Sequence, residues 1–116
     1  QKATFFAYCR DFFDLSSVGY HQQSYDIFLE YTFFCAIDPD LRSRYVETAA
    51  SLLKPGGIFL GLFFPTSMDK PGPPFTVARA EVEQLFSRHF ELNFETPQQS
   101  VKPRAGREFL GFFRKK

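Results

Sequence analysis

Short aromatic or aliphatic runs alternate along this chain with helix-like segments, the pattern of an α/β domain. Residues 3–9 are rich in Phe and Tyr and read as a buried strand that stops at Arg10-Asp11. Residues 14–24 carry Ser, Gly and Gln and read as a loop with room for one helical turn. Residues 25–31, Tyr-Asp-Ile-Phe-Leu-Glu-Tyr, form the second strand candidate, and residues 32–37 lead out of it.

Asp38-Pro39 marks a helix start. The Asp38 carboxylate can accept from free amides, and Pro39 suits the first helical position, where no amide hydrogen is needed. Leu41, Tyr45, Ala49, Leu52 and Leu53 follow at helical spacing and give one apolar face. Lys54-Pro55-Gly56-Gly57 ends that helix and turns the chain. Residues 58–64 carry no polar side chain, as expected of a strand covered on both faces. A proline-rich loop spans 65–74, and a second helix is expected over 77–89 with Val82, Leu85 and Phe86 facing inward. Residues 90–95 alternate apolar and polar side chains, as a half-exposed strand does. After a polar connection over 96–106, residues 108–113 form the last strand. No helix separates the final two strands, so they are expected to pair antiparallel.

Composition narrows the function classes. Of the 116 residues 44% are hydrophobic and 17 are Phe, enough for a packed core and too apolar for a disordered chain. A net charge of +1 provides no basic field for nucleic acid. The basic ending Arg114-Lys115-Lys116 reads as a solvated tail. Cys9 and Cys35 lie in apolar runs and read as buried free thiols of a reducing, cytoplasmic environment. The apolar runs fall short of the roughly 20 residues that span a bilayer, and no signal-like leader is visible. No cluster has metal-ligand spacing, no Gly-x-Ser-x-Gly elbow is present, and His21 and His89 read as structural.

Several stretches together carry a specific likeness. The run 25–42 (Tyr-Asp-Ile-Phe-Leu-Glu-Tyr-Thr-Phe-Phe-Cys-Ala-Ile-Asp-Pro-Asp-Leu-Arg) is followed in order by Leu-Lys-Pro-Gly-Gly at 53–57, Gly-Pro-Pro-Phe at 72–75 and Pro-Arg-Ala-Gly-Arg-Glu-Phe-Leu at 103–110. With Asp11-Phe12-Phe13 upstream, they resemble the thiopurine S-methyltransferase-like family, in particular its thiol, halide and thiocyanate methyltransferase branch. The resemblance covers nearly the whole chain. It implies a partial class I methyltransferase (Rossmann-like) α/β sheet, whose full strand order is 3-2-1-4-5-7-6. Residues 3–9 would be the third strand, 25–31 the fourth and 58–64 the fifth, with the antiparallel sixth and seventh closing the sheet. Strands 1 and 2 are not in this sequence, and neither is a Gly-rich turn for the cofactor's methionine end. Residues 1–116 are therefore expected to be the C-terminal part of a single methyltransferase domain. The chain opens on Gln1 rather than Met, which fits a processed product or a fragment.

The resemblance also implies a site. The cofactor would be S-adenosylmethionine, with S-adenosylhomocysteine as product. Asp11 would accept from the adenine amino group and Phe12 would pack on the ring; from position alone, Asp11 caps a turn and Phe12 is core. Tyr31, with Thr32 beside it, would lie near the sulfonium, where an aromatic face favours a cation. The thiopurine branch can carry Arg at that position, so Tyr31 points to smaller, softer nucleophiles. Phe33 would extend the substrate wall, and one of Phe33 and Phe34 is expected in the core. Pro74 and Phe75 belong to a rigid loop that either closes the substrate pocket or is only a turn. Arg104, with Arg107 nearby, either attracts an anionic substrate or is an ordinary surface arginine. No protein base is required, because a thiolate, halide or thiocyanate attacks an already activated methyl group once positioned in line.

Two readings follow. The intact parent methylates a small sulfur or halide nucleophile (thiol, thiopurine, thiocyanate, iodide), and this chain alone is inactive. Alternatively, it is a non-catalytic truncated domain serving assembly or binding. Neither involves nucleic acid or a membrane. Without its inner neighbour, the fourth strand exposes unpaired backbone, and Phe side chains of the fourth and fifth strands face water. A missing N-terminal segment or self-association is expected to cover that strand.

Overall fold

The computed structural model describes residues 3–68, 70–100 and 102–116; Gln1, and Asp69 and Val101 of the two expected loops, lie outside the described residues. A 3₁₀ turn over Phe12–Ser17 precedes strand β1 at Tyr25–Tyr31. Helix α1 is Arg42–Leu52, strand β2 Leu53–Phe63 and helix α2 Arg79–Phe86. Strands β3 at Phe90–Glu91 and β4 at Phe94–Glu95 precede β5 at Phe109–Lys115. The sheet runs β1-β2-β5-β3, and β4 also pairs with β5. β1 and β2 are parallel, joined through α1, and every pairing of β5 is antiparallel.

Local chemistry sets these elements. Asp38 caps a 3₁₀ turn at Pro39–Leu41, its Oδ1 accepting from the Asp40 amide at 2.9 Å, and α1 follows directly. Both helices lie on one face of the sheet. From α1, the Tyr45 ring meets Phe28 and Phe59 edge-on, and from α2 the Phe86 ring sits 4.9–5.8 Å from Phe59, Phe63 and Phe113. Each phenyl ring buried this way stabilises the fold by about 1.5–3 kcal/mol. The rings of Phe59, Phe63 and Phe113 lie flat above Gly61 and Gly111, which face each other across β2 and β5. A Cβ on Gly61 would meet the Phe59 ring at 2.8 Å, and one on Gly111 the Phe113 ring at 2.5 Å.

Several sequence expectations are corrected. Residues 3–9 form no strand and are exposed, Cys9 included. A strand exists through its partners, and among the described residues only β2 pairs with β1. β2 is covered on one face: Phe59 and Phe63 are buried, while Ile58, Leu60 and Leu62 on the other are half-buried. Among the aliphatic side chains of β1, Ile27 and Leu29 face water, 61% and 74% exposed, whereas Phe28 and Phe59 turn inward. Residues 90–95 split into two short strands around Leu92 and Asn93, and the Phe112 amide donates to the Asn93 carbonyl at 2.8 Å. The second helix is shorter than 77–89. Arg114 and Lys115 belong to β5 rather than a tail. Lys115 Nζ donates to the Leu53 carbonyl at 2.6 Å, and burial pushes its pKa down.

Candidate functional site

The carboxyl ends of β1 and β2 point the same way, and in open α/β sheets that end takes ligands. β1 delivers Tyr31 there and is stopped by Thr32, whose φ of 64° is left-handed. That region is unfavourable for a β-branched residue and stores strain where β1 ends. The turn beyond is held by a residue that sequence reasoning passed over. Glu30 is 5% exposed; its Oε2 accepts from the amides of Phe33 and Phe34 at 3.0 and 3.1 Å, and its Oε1 accepts from the Tyr45 hydroxyl. Burial first, and then the Glu30 negative charge, push the Tyr45 pKa well up. The same two causes push the Cys35 thiol up.

The turn separates Phe33 from Phe34 as expected: Phe34 is 1% exposed in the core and Phe33 is 42% exposed. Phe12, Phe28, Leu29, Glu30, Tyr31, Phe33 and Tyr45 line a cavity of about 150 Å³. Phe12 sits edge-on to Phe33, with ring centres 5.8 Å apart, and 5.2 Å from the ring of Tyr45. Asp11 leads into Phe12 and caps its turn, Oδ1 accepting from the Phe13 amide at 3.0 Å, while the carboxylate remains exposed.

Arg104 reaches the same place from the far end of the chain. Its Nη1 donates to the Tyr31 hydroxyl, and its guanidinium lies 5.1 Å from the Tyr31 ring centre and 4.5 Å from that of Phe64. Arg107 lies 5.3 Å over Phe64 and donates to the Ser67 carbonyl at 3.1 Å. Arg104 beside Tyr31, and Arg107 beside Phe64, both stand without a carboxylate partner among the described residues. Pro74 and Phe75 are half-buried, and the Phe75 amide donates to the Cys35 carbonyl at 2.7 Å. Their loop is thus tied to the segment after β1 but is not part of the cavity wall.

Arg42 was the second omission. It is 2% exposed, paired with Glu81 at 2.6 Å, bonded to the Thr76 carbonyl at 3.1 Å, and 4.8 Å over the Phe34 ring. It sits on the otherwise apolar face of α1, where its charge argued for solvent. The signals that could have found it were Glu81, supplied by the next helix, and the Phe34 ring. His21 is buried, its Nδ1 2.7 Å from the Tyr25 hydroxyl, at the opposite end of β1.

Comparison with known proteins adds to this geometry. The family model described as Thiopurine S-methyltransferase (TPMT) matches residues 1–115. A probable thiol methyltransferase 2 of Arabidopsis thaliana is 37% identical over 95 residues, covering 80% of this chain and 42% of that protein. A thiocyanate methyltransferase 1 of Brassica oleracea is 32% identical over 117 residues, covering 98% of this chain and 50% of that protein. The chain thus spans about half the length of the curated relatives it matches. The crystal structure of N-methyltransferase NodS from Bradyrhizobium japonicum WM9, in complex with S-adenosyl-L-homocysteine, superposes with a TM-score of 0.68. It is 13% identical and covers 91% of this chain and 52% of its own, a likeness that shows the shared α/β methyltransferase fold.

Proposed function

This chain belongs to the thiopurine S-methyltransferase family, and from that premise we propose that it is the acceptor-binding part of an S-adenosylmethionine-dependent methyltransferase acting on a small sulfur or halide nucleophile. The supporting observation is the meeting of Phe12, Tyr31 and Phe33 around one cavity, with Arg104 held against Tyr31.

The residues present fit that cofactor. The exposed Asp11 carboxylate has acceptor capacity beyond its bond to the Phe13 amide, which an exocyclic amino group can use. Phe12 offers an aromatic surface next to it. When bound, the cofactor supplies a methyl group already activated for displacement by a soft nucleophile. The chain's own part is to position and to exclude water. Phe12, Phe33 and Tyr31 make the cavity wall apolar. Arg104 and Arg107 supply positive charge for an anionic acceptor such as a thiolate, thiocyanate or iodide, and the Arg104 bond to Tyr31 fixes where that charge stands. Tyr31, where the thiopurine branch can carry Arg, favours such small acceptors over a purine. The bare face of the sheet requires cover, and a segment N-terminal to residue 1 or a second copy of the chain would supply it.

The test is binding of S-adenosylhomocysteine by calorimetry, followed by methyl-transfer assays with thiols, iodide and thiocyanate on the intact protein. Micromolar binding and volatile methylated products are expected, with Arg104→Ala raising KM for the anions about tenfold or more. Absence of binding by a well-folded intact protein would overturn the proposal and leave the assembly-module reading.

A further inference from the structure

Glu30 is more than a brace for the turn. Glu30 is buried, 5% exposed, and lines the same cavity as Tyr31, Phe33 and Phe12. All three of its hydrogen-bond donors are neutral: two backbone amides and the Tyr45 hydroxyl. No Lys, Arg or His lies within ion-pair distance of it among the described residues; the buried Arg42 is committed to Glu81, and Arg104 to Tyr31.

A buried charge without a counterion is costly unless something completes it, and charges lost from water interact strongly at short range. Neutral donors lower that cost but leave the sign of the field in place. The field is felt nearby, since the Glu30 charge helps push up both Tyr45 and Cys35. The remaining wall is aromatic apart from Leu29, and ring faces attract the same sign of ligand as a carboxylate does. A small cavity of aromatic rings around one uncompensated carboxylate suits a soft organic cation.

We propose that the buried carboxylate of Glu30 is the countercharge that makes this cavity prefer the positively charged sulfonium cofactor over its neutral thioether product. This rests on the functional reading above, because it takes S-adenosylmethionine as the cation. It adds a consequence for turnover: once the methyl group leaves, the ligand becomes neutral and loses its attraction to Glu30, which favours product release.

The discriminating quantity is the ratio of affinities for S-adenosylmethionine and S-adenosylhomocysteine, measured by calorimetry on the intact protein without an acceptor. Glu30→Gln is expected to lower S-adenosylmethionine affinity about tenfold or more while moving S-adenosylhomocysteine affinity by less than about threefold. A merely structural role would weaken both ligands together and leave the ratio unchanged, and that result would overturn the proposal. Tyr45→Phe keeps the charge and removes one neutral donor, so the ratio is expected to hold or rise; a fall of the Glu30→Gln size would count against the countercharge. Should Glu30→Gln fail to fold, Glu30→Asp, which retracts the charge by one methylene, carries the test with a fall of a few-fold in the ratio, and an unchanged ratio there overturns the proposal. If the wild-type protein binds neither ligand, the functional reading fails first, an outcome distinct from a binding protein whose ratio ignores residue 30.

Discussion

The two faces of the sheet are built from similar side chains and meet opposite fates. On the face packed by α1 and α2, Phe59, Phe63 and Phe113 are no more than 2% exposed. On the other, Ile27, Leu29, Tyr31 and Phe112 are 40–74% exposed. Strand alternation assigns each residue to its face, but what covers a face is decided by other elements. Apolar character in a strand therefore reports that a face is meant to be buried, not that this stretch of chain buries it. The contrast also locates the candidate cavity, which lies at the end of β1, where the buried side gives way to the open one.

The comparison can be tested by mutation, beginning with its buried side. Phe59→Ala is expected to cost about 3–5 kcal/mol of unfolding free energy in urea titration, because a fully enclosed ring leaves a cavity. A loss below about 1 kcal/mol would mean that the covered face is not the core.

The Tyr45–Glu30 contact gives the next effect. Tyr45 has a folded-state pKa raised above its ordinary value of 10.0, so its stabilising contribution is fully present below pH 10 and is lost as pH rises beyond it. Thermal midpoints should fall above pH 10 in the wild type and fall less in Tyr45→Phe. Equal slopes for the two proteins would remove this contact from the buried side.

Thr32 sits at the boundary between the faces, and Thr32→Gly separates strain from function. Relief of the positive φ, offset by added freedom of the unfolded chain, should stabilise the protein by up to about 1 kcal/mol. S-adenosylhomocysteine affinity should fall, because the glycine no longer fixes the turn; gains in both would place Thr32 outside the site.

The smallest change in stability belongs to the open face. Leu29→Asp should alter the unfolding free energy of this chain by no more than about 0.5 kcal/mol. It should also reduce any self-association in sedimentation velocity, since contiguous exposed apolar side chains favour association. Strong destabilisation would show that the face is covered after all.

Much of the fold was legible where local chemistry decides it. The bounds of β1 follow from a mainly aromatic and aliphatic run, broken only by Asp26 and Glu30, and the start before α1 from Asp38-Pro39. Residues 3–9 misled because their Phe and Tyr content speaks for a strand while a strand needs a partner to bond. Asp11, Phe12, Tyr31 and Arg104 were nameable from motif likeness, and the structure places three of them in one neighbourhood through rings and a hydrogen bond. Glu30 and Arg42 escaped because a charged residue in an apolar pattern looks like an interruption. Only three-dimensional neighbours, the amides of Phe33 and Phe34 for one and Glu81 for the other, convert each into a buried anchor.

The opposed glycines of β2 and β5 carry a consequence for how this domain changes over generations. Gly61 and Gly111 leave a slot that three phenyl rings fill. A methyl group gained at either glycine collides with rings already in place, and a ring shortened first leaves a void. Each single step is thus downhill in stability, while a paired exchange of small for large is not. Lineages of this domain should therefore keep glycine and phenylalanine there as a linked set or replace them together, so that the least substantial residues of the sheet are among its hardest to alter.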